Sequence, residues 1–441
     1  MYINKPPITV AERECYMWQI KVLLEKFVSL LGVEVKVRGR IISIRRMKRS
    51  VFADLFSIDS KVQCRFDPAG GLCPNNGDLV EVVGKCVVSK SGESTIDVSS
   101  VVVVGKWSAN IDFKEVSNGG SSPLLAFMPG AYGRFHYSQV ARNQVRTFLT
   151  SEGYFEVQTP ILGRNYNGGR SFPVSSFCSG NRIGFNRTTV EDRMQALIAM
   201  GYERVFQVGS VFRSGKELTF LEGYEAFTEW EAGKCRIKQL LASVVEKLIQ
   251  SGIGSPNDTS DHLIGCDWLE VDFLDSVSES TKVSSQQIME VDSTLAGFLR
   301  DRGVIKEEEV SPETIADELA NLVAEATGVP TIVNGFPVWS SPLYALSEDG
   351  GERLVRSRMY IPGQKGGFEI GMQENNYERF TERISRQRKM WNLATDDDRV
   401  RESDLSTVIS GGLPPTFGYG LSPDRLVKIW RQDCSNDPYR E

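Results

Sequence analysis

The chain of 441 residues is longer than one hydrophobic core usually spans, and its length predicts two or three domains. Its composition is 41% hydrophobic and 24% charged, and no stretch approaches the roughly 20 apolar residues that a membrane helix requires. The first residues lack the apolar core and cleavage pattern of a signal peptide, so we expect a cytoplasmic protein without a membrane partner. Eight cysteines form no Cys-x-x-Cys pair and only two histidines accompany them, which argues against a zinc site or a disulfide framework.

The net charge of −6 is unevenly distributed along the chain. Residues 1–107 hold 16 Lys and Arg against 11 Asp and Glu, and residues 36–49 contain seven basic residues and no acidic one. A basic segment of this density suits a polyanion such as nucleic acid, although a solvated face is the more common reason for such a run.

The first quarter of the chain predicts a helix followed by a small β-barrel. Apolar residues at helical spacing predict one amphipathic helix from Val10 to Leu31. The following strand-like runs are Val33 to Ile44, Val51 to Ile58, Lys61 to Phe66, Asp78 to Ser89 and Ser94 to Val104. Five strands in this space favour an OB-fold, which couples that strand count to nucleic-acid binding, over other small barrels.

Residues 108–131 are rich in Ser, Gly, Asn and Pro, as is typical of a linker. We therefore expect a helix over residues 1–31, a barrel over 32–107, a linker over 108–131 and a larger domain over 132–441.

In the larger domain, helical and extended patterns alternate irregularly, which predicts an α+β fold with a largely antiparallel sheet. The predicted helices are Tyr137 to Glu152, Thr189 to Met200, Ile237 to Gln250 and Pro312 to Ala326, and the predicted strands are Phe155 to Gln158, Arg204 to Phe212 and Pro330 to Val333. Neither a P-loop nor a dinucleotide-binding glycine motif is present in the sequence.

Three segments of the larger domain carry residues of chemical interest. The first, Phe155-Glu-Val-Gln-Thr-Pro160, is a strand ended by a proline. The second brings Arg213 to the end of a β-rich run, where a guanidinium can bind a phosphate or carboxylate unless it forms a surface salt bridge. The third, Gly412 to Leu426, is rich in glycine and leads into Arg425.

Two acidic residues follow the second segment. Glu229 and Glu231 are two residues apart, so on a strand they would share one face that can hold an ammonium group or a metal.

In this order the three segments resemble motifs 1, 2 and 3 of class II aminoacyl-tRNA synthetases, and with the barrel they resemble the lysine-specific branch. The resemblance implies an OB-fold anticodon-binding domain and a catalytic domain built on an antiparallel sheet flanked by helices. It also implies ATP and Mg2+ as cofactors, and tRNA and an amino acid, nominally lysine, as partners. Dimers of the class form through motif 1, so a homodimer with Pro160 near its interface is implied as well.

In the barrel, the segment from Val37 to Leu55 is similar to the anticodon-binding domain of that branch. By this resemblance, Phe52 stacks on an anticodon base, and Arg45, Gln63 and Glu93 read base edges.

The resemblance also assigns catalytic and nucleotide-binding residues. Arg213 matches the motif 2 arginine that binds the ATP α-phosphate and the substrate carboxylate. Phe227 and Arg425 match the pair that encloses adenine, and Glu369 matches a carboxylate that binds magnesium.

The implied amino-acid pocket draws on four segments. Its residues are Gly168 and Gly169 of a glycine loop, Glu191 for the α-ammonium group, Glu231 for the side-chain ammonium group, and Asn376 in the segment that carries the lysine signature.

The chain departs from the family pattern at several of these places. Gly215 and Ala226 stand where motif 2 has glutamates, Arg358 lies near the place of a second metal carboxylate, and Ser422 replaces the last glycine of motif 3. The segment Met372-Gln-Glu-Asn-Asn376 differs from the lysine signature.

These departures leave three alternatives open. The substrate can be asparagine-like or aspartate-like instead of lysine. A paralogue would transfer the activated amino acid to a protein or a small-molecule amine, and a catalytically silent protein would only bind tRNA.

Overall fold

The computed structural model describes residues 17–57, 60–67, 73–108, 131–163, 174–213, 215–253, 256–290, 293–305, 312–340, 345–348, 351–364, 366–390 and 404–427. The chain divides into two compact units, one of Met1–His136 with Cys434–Glu441 and one of Tyr137–Asp433. Most of the predicted linker lies outside the described residues. No helix among the described residues combines the length and apolar character needed to cross a membrane.

The first unit contains a closed barrel of five strands. Its elements are β1 (Met17–Trp18), α1 (Ile20–Glu25), a 3-10 turn (Phe27–Leu30), β2 (Glu34–Arg46), β3 (Val51–Ser57), β4 (Ser60–Phe66), β5 (Leu79–Val88) and β6 (Ser94–Gly105). The strands follow the order β1-β2-β3-β4-β6-β5, and the pairing of β2 with β5 closes the barrel. Alternate residues of β2, among them Val35, Val37 and Ile41, point inward and are buried, so period-two alternation sets its inner face.

The predicted single helix from Val10 to Leu31 is shorter and interrupted in its described part, where Ile20–Glu25 is α-helical and Phe27–Leu30 is a 3-10 turn. Met17 and Trp18 form a strand that pairs in parallel with Lys36 and Val37 of β2, and the helix begins only at Ile20. Backbone hydrogen bonding to the barrel edge replaces helical hydrogen bonding there, which apolar spacing alone does not reveal.

The second unit is a mixed α+β domain. Its elements begin with α2 (Ala131–Ser151), β7 (Phe155–Glu156), β8 (Leu162–Gly163), β9 (Val174–Cys178), β10 (Asn181–Asn186), α3 (Glu191–Ala199), β11 (Arg204–Arg213), β12 (Lys216–Ala226) and α4 (Trp230–Gln250). They continue with α5 (Asp258–Ile264), β13 (Leu269–Asp272), α6 (Phe273–Thr281), α7 (Ser285–Met289), α8 (Ser293–Asp301), α9 (Pro312–Thr327), β14 (Thr331–Asn334) and a 3-10 turn (Val338–Ser340). The last are β15 (Arg356–Tyr360), β16 (Phe368–Met372), α10 (Tyr377–Met390), α11 (Asp404–Ser410), β17 (Thr416–Leu421) and α12 (Pro423–Val427).

Eight strands form its main sheet in the order β13-β14-β15-β16-β17-β12-β11-β7, and the five central neighbour pairs are antiparallel. Only the outer pairs, β13 with β14 and β11 with β7, are parallel within this sheet. The predicted α+β class, with a small barrel and a largely antiparallel sheet, is therefore confirmed.

Helix α4 covers one face of this sheet. Its buried residues recur three or four positions apart and form one apolar stripe: Ile237, Leu240, Leu241, Val244, Val245 and Leu248. The stripe belongs to the same buried cluster as Leu221 of β12, Ile370 of β16 and Tyr419 of β17. Because side chains alternate along a strand, the neighbours of these residues project from the opposite face, which carries the charged groups described next.

Candidate active site

A row of polar residues crosses the open face of the sheet. The register of four neighbouring pairs brings Gln207, Glu222, Gly420, Glu369 and Arg358 into line across β11, β12, β17, β16 and β15. Directly paired residues of an antiparallel sheet point to the same side, so these side chains share one face. In this row Gly420 has one carboxylate on each side, that of Glu222 and that of Glu369.

The glycines of β17 are required by close approach. A Cβ atom at Gly420 would lie 2.9 Å from the ring of Phe220, and one at Gly418 would lie 2.5 Å from Gln373 Nε2. Any larger residue would displace side chains from the neighbouring strands, so the glycine pattern in the third sequence segment reflects packing across this face.

Arg213 is held at the end of β11 by three contacts. Its Nε donates a hydrogen bond to the carbonyl oxygen of Thr188 at 2.9 Å, and its guanidinium carbon lies 4.7 Å from the ring centroid of Phe220. The guanidinium also lies 3.9 Å from Glu222 Oε1. A permanently charged group is thus fixed on the open face, as is required for binding a phosphate or carboxylate.

Glu222 is a site residue that sequence reasoning missed. Its buried carboxylate accepts hydrogen bonds from Thr189 Oγ1 at 3.0 Å and from the Val190 backbone nitrogen at 3.2 Å. Burial raises the pKa of Glu222, while the positive charge of Arg213 opposes that rise. The alternation along β12 was the available signal, since it separates Glu222 from Glu225.

Glu225 lies on the other face of β12. Its fully buried carboxylate accepts hydrogen bonds from Tyr154 at 2.9 Å and Arg236 at 3.1 Å, and pairs with Arg204 at 2.7 Å. These contacts tie β12 to the helical layer, so Glu225 does not replace a missing motif 2 glutamate on the open face.

Glu191, the first residue of α3, is buried in a polar network. Its carboxylate accepts a hydrogen bond from Gln195 Nε2 at 3.0 Å, and that nitrogen also lies 2.8 Å from Gln373 Oε1. Within the described residues, the buried Gln195 Oε1 accepts no hydrogen bond. An unsatisfied buried acceptor beside a carboxylate is a place where a ligand can donate, as an ammonium group does.

The structure separates Phe227 from the arginines with which it was predicted to act. Arg213 pairs with Lys216 at the start of β12, whereas Phe227 follows the last residue of that strand, about 30 Å along it. Phe227 has a positive φ of 58° and is 71% exposed. The prediction that Phe227 and Arg425 enclose one adenine is therefore wrong, because Arg425 follows the opposite end of β17.

Phe220 is an aromatic residue at the turn end of the β11–β12 hairpin, where Arg213 lies. Its ring lies against Arg213 and beside Gly420. The sequence could have indicated Phe220, because it lies only four residues after Lys216, which pairs directly with Arg213 across a tight hairpin.

Glu231 does not reach the open face either. It lies in the first turn of α4, its side chain is 74% exposed, and it pairs with Lys234 at 3.0 Å. The predicted contact with a buried substrate ammonium group is wrong, because Glu229 directly precedes α4 and Glu231 is its second residue, so the two never share a strand face.

Asn376 caps helix α10. Its side-chain oxygen accepts a hydrogen bond from the Arg379 backbone nitrogen at 2.9 Å, and its own backbone nitrogen donates to Glu374 Oε1 at 3.0 Å. The residue is exposed, so its contacts explain a helix terminus. Gly168 and Gly169 lie outside the described residues.

The carboxylate of Glu369 is enclosed by guanidinium groups. Arg356 Nε donates to Glu369 Oε1 at 2.8 Å, and Arg358 lies 3.6 Å from Glu369 Oε2. Arg358 is also bound to Asp317 Oδ1 at 2.6 Å. Burial lowers the pKa of Arg358, but the charges of Asp317 and Glu369 outweigh it and raise that pKa.

This donor set does not fit the predicted magnesium site. Both oxygens of Glu369 already face a permanent positive charge, which repels a divalent cation. No cluster of three or more acidic, histidine or cysteine ligands occurs among the residues that the structure describes. Glu369 is thus a partner of arginines.

Arg425 lies in the first turn of α12, where its Nη1 donates to the carbonyl oxygen of Gly366 at 3.2 Å. Burial and the nearby positive charges of Arg358 and Arg213 lower the pKa of Arg425. Strands β11 and β17 end on the same side of the sheet, because both are antiparallel to β12, and Gly367, next to the Arg425 contact, lies against Arg358. Three guanidinium groups thus lie at one end of the open face, an arrangement that is stabilised by an anionic ligand.

In the barrel, the register places Arg45 opposite Phe52, and Phe52 opposite Arg65. Gln63 Nε2 donates to Glu93 Oε2 at 2.7 Å. Because Asp54, which pairs with Gln63, lies two residues from Phe52, all four predicted anticodon-binding residues are grouped around one face.

The chain is similar to known proteins over the second unit and over most of its length. Residues 129–434 match the family model described as tRNA synthetases class II (D, K and N). A lysine--tRNA ligase of Enterococcus faecalis is 24% identical over 91% of this chain and 85% of its own length, and one of Thermoanaerobacter pseudethanolicus is 27% identical over 90% and 84%. Lysine--tRNA ligase 2 of Methanosarcina mazei is 26% identical over 92% and 84%.

A solved structure has a similar fold. The asparaginyl-tRNA synthetase of Pyrococcus horikoshii, determined in complex with asparaginyl-adenylate, superposes with a TM-score of 0.68 over 92% of this chain and 93% of that chain, at 16% identity. Since the family model spans well over half of the chain and the fold agrees with it, this protein belongs to the class II tRNA synthetases of the D, K and N group.

Proposed function

We propose that this chain activates an amino acid with ATP and transfers it to tRNA, with lysine as the nominal amino acid. The observation that carries the proposal is the fixed Arg213 guanidinium on the same sheet face as the buried Glu222 and close to the Glu191 network. This arrangement combines one cation, Arg213, which can bind phosphate or carboxylate groups, with two acids, Glu191 and Glu222, which can bind ammonium groups.

The first step requires no covalent enzyme intermediate. An oxygen of the substrate carboxylate attacks the α-phosphorus of ATP, the bond to the bridging oxygen of the β-phosphate breaks, and pyrophosphate leaves with the electron pair. Arg213 neutralises negative charge that otherwise repels the attacking carboxylate and grows on the phosphorus oxygens. A hydroxyl of the terminal tRNA ribose then attacks the carbonyl carbon, and AMP leaves.

Lysine is favoured by the number of buried acids. Glu191 and Glu222 provide two carboxylates, and lysine carries two ammonium groups. Lysine--tRNA ligases of several organisms match most of this chain. Aspartate would add a carboxylate to the acidic part of the site, and asparagine would bring one ammonium group instead of two to the two acids, so both are expected to be weaker substrates.

The barrel face supports a role in binding the anticodon. Phe52 offers a half-exposed aromatic ring between Arg45 and Arg65 on the neighbouring strands, and Gln63 and Glu93 offer polar groups close by. Stacking on one base contributes about 1 to 3 kcal/mol.

A homodimer is supported by apolar surface at one edge of the main sheet. Phe155 of edge strand β7 is 63% exposed and contacts Tyr202, and Ile161 and Leu162 follow Pro160 with exposed side chains. A Phe155→Asp variant is expected to sediment as a monomer at concentrations at which the unmodified chain is a dimer, because a charge then replaces an apolar contact.

ATP–pyrophosphate exchange with each of the twenty amino acids, followed by charging of total tRNA, tests the proposal. The expected result is exchange with lysine above all others, and charging of a lysine-accepting tRNA. Exchange without charging would indicate transfer to a different amine, and the absence of exchange with every amino acid would contradict the enzymatic function.

A further inference from the structure

Glu369 occupies the centre of a buried arginine network. Arg356, which donates to one of its oxygens, is only 1% exposed, and Arg358, near the other oxygen, has an 11% exposed side chain. Neither guanidinium can turn away into solvent without leaving Glu369 and breaking a further contact. Arg358 is held by Asp317 at 2.6 Å, and Arg356 Nη1 lies 3.5 Å from the Ser340 carbonyl oxygen.

The network is continuous with the anion-binding end of the open face. Arg425 Nη1 donates to the carbonyl oxygen of Gly366 at 3.2 Å, and the next residue, Gly367, lies against Arg358, because a Cβ atom at Gly367 would be 3.0 Å from Arg358 Cβ. Strands β11 and β17 are both antiparallel to β12, so Arg213 at the end of β11 and Arg425 just after β17 lie at the same end of the sheet. Arg213 has a 37% exposed side chain, so a ligand on the sheet face can contact it directly. These positive charges lie where the predicted site requires a cation.

The charges of this network are not balanced. Four guanidinium groups, those of Arg213, Arg356, Arg358 and Arg425, stand against the three carboxylates of Glu222, Glu369 and Asp317. The excess is positive before a ligand arrives. An anion with several charged oxygens is therefore a suitable partner, and a second cation is not.

We propose that the polyphosphate of ATP binds directly to this arginine cluster, and that Glu369 orients Arg356 and Arg358 instead of holding a divalent cation. The identity of the nucleotide rests on the proposed function, whereas the roles of Glu369 and Arg358 rest on the ion pairs above. Arg213 and Arg425 contact the phosphate oxygens, and the more deeply buried Arg358 adds positive charge to the same cluster.

Binding of Mn2+, ATP and inorganic triphosphate to the full chain tests this inference without relying on turnover. Electron paramagnetic resonance measures Mn2+ binding to the protein without nucleotide. We expect the wild-type chain and Glu369→Gln to bind the same number of Mn2+ ions with the same affinity. By calorimetry, ATP and triphosphate are expected to bind in EDTA within about threefold of their affinity in Mg2+.

Variants separate the two roles of Glu369. Glu369→Gln removes a negative charge from the cluster but keeps a side-chain oxygen that can accept from Arg356 Nε, so triphosphate binding in EDTA should be unchanged or tighter, whereas loss of a metal ligand would weaken binding in Mg2+ by about tenfold or more. Arg358→Met should weaken triphosphate binding in EDTA by about tenfold. Arg353→Met is the matched control, since Arg353 also pairs with a carboxylate, Asp272 at 2.6 Å, but outside the cluster.

The outcomes distinguish this inference from the proposed function. A Mn2+ site lost in Glu369→Gln, or ATP binding that disappears in EDTA, overturns the inference even where amino-acid-dependent exchange is observed. Binding of triphosphate in EDTA that depends on Arg358, without exchange for any amino acid, supports the inference and contradicts the proposed function. Because Arg358 is buried, thermal melting of each variant accompanies the titrations, and the comparison of ATP affinity in EDTA with that in Mg2+ uses the wild-type chain alone.

Discussion

The barrel face groups all four of its predicted binding residues, whereas the open face of the main sheet groups only some of the residues that were predicted for it. In the barrel, Arg45, Phe52, Gln63 and Glu93 lie on neighbouring strands around one face. On the sheet, Arg213 and Arg425 converge, but Phe227 and Glu231 lie at the far end of the β11–β12 hairpin or beyond it. Contacts between adjacent short strands follow from alternation, whereas a site assembled from five strands depends on a register that spans about 200 residues of sequence.

The largest effect is expected at Arg213, whose guanidinium is fixed by contacts with Thr188, Phe220 and Glu222. Arg213→Ala should reduce ATP–pyrophosphate exchange by about two to three orders of magnitude, because the charge that develops at phosphorus loses its fixed counter-charge. Arg142→Ala provides a control, since Arg142 pairs with Asp424 at 3.6 Å and lies outside the row of polar residues. Equal losses in both variants would show that the effect arises from folding.

Glu191→Gln tests whether the buried network binds the amino acid. We expect the KM for the amino acid in the exchange assay to rise by about tenfold or more while the KM for ATP changes little, because only the ammonium group loses its charge partner. Glu246→Gln, on the solvent side of α4, is the control. A rise in the KM for ATP alone would contradict the assignment.

Phe52→Ala tests the barrel face separately from the sheet. The kcat/KM for tRNA charging should fall by about tenfold, which corresponds to loss of stacking on one base, while exchange without tRNA is unchanged. Val102→Ala, an exposed residue of β6, controls for general damage to the barrel. Charging at the wild-type rate would exclude the anticodon role of Phe52.

Glu222→Gln connects substrate binding with stability. The folded-state pKa of Glu222 is raised above that of an unfolded glutamate, so the folded chain binds the extra proton and loses stability as pH rises from about 4.3 towards that higher pKa. The variant should therefore melt at a higher temperature than wild type at pH 7, a difference that shrinks near pH 4. Lysine-dependent exchange should fall in the same variant. Equal melting temperatures at pH 7 would contradict the unfavourable burial.

The smallest effect is expected at the residue that the structure removes from the site. Phe227→Ala should change the KM for ATP by less than about twofold, whereas Phe220→Leu should raise it by about fivefold, because only Phe220 lies against Arg213. A large effect at Phe227 would show that our placement of the nucleotide is wrong.

These results show which features could be derived from the sequence. The strands of the barrel, helix α4 and the β11 strand that ends at Arg213 follow from local periodicity and appear close to their predicted bounds. Glu222 was missed because its importance comes from pairing with Gly420, which is almost 200 residues away. The ion pair of Arg358 and Glu369 likewise depends on the register of β15 and β16, so the spacing of residues along the sequence could not show that an arginine faces the acid.

A crystal structure with a non-hydrolysable lysyl-adenylate analogue would show directly whether the open face of the main sheet binds the substrate. We expect the phosphate group within hydrogen-bonding distance of Arg213, the α-ammonium group beside Glu191 and the side-chain ammonium group beside Glu222. An analogue bound near Phe227, or away from the open face of the main sheet, would contradict it.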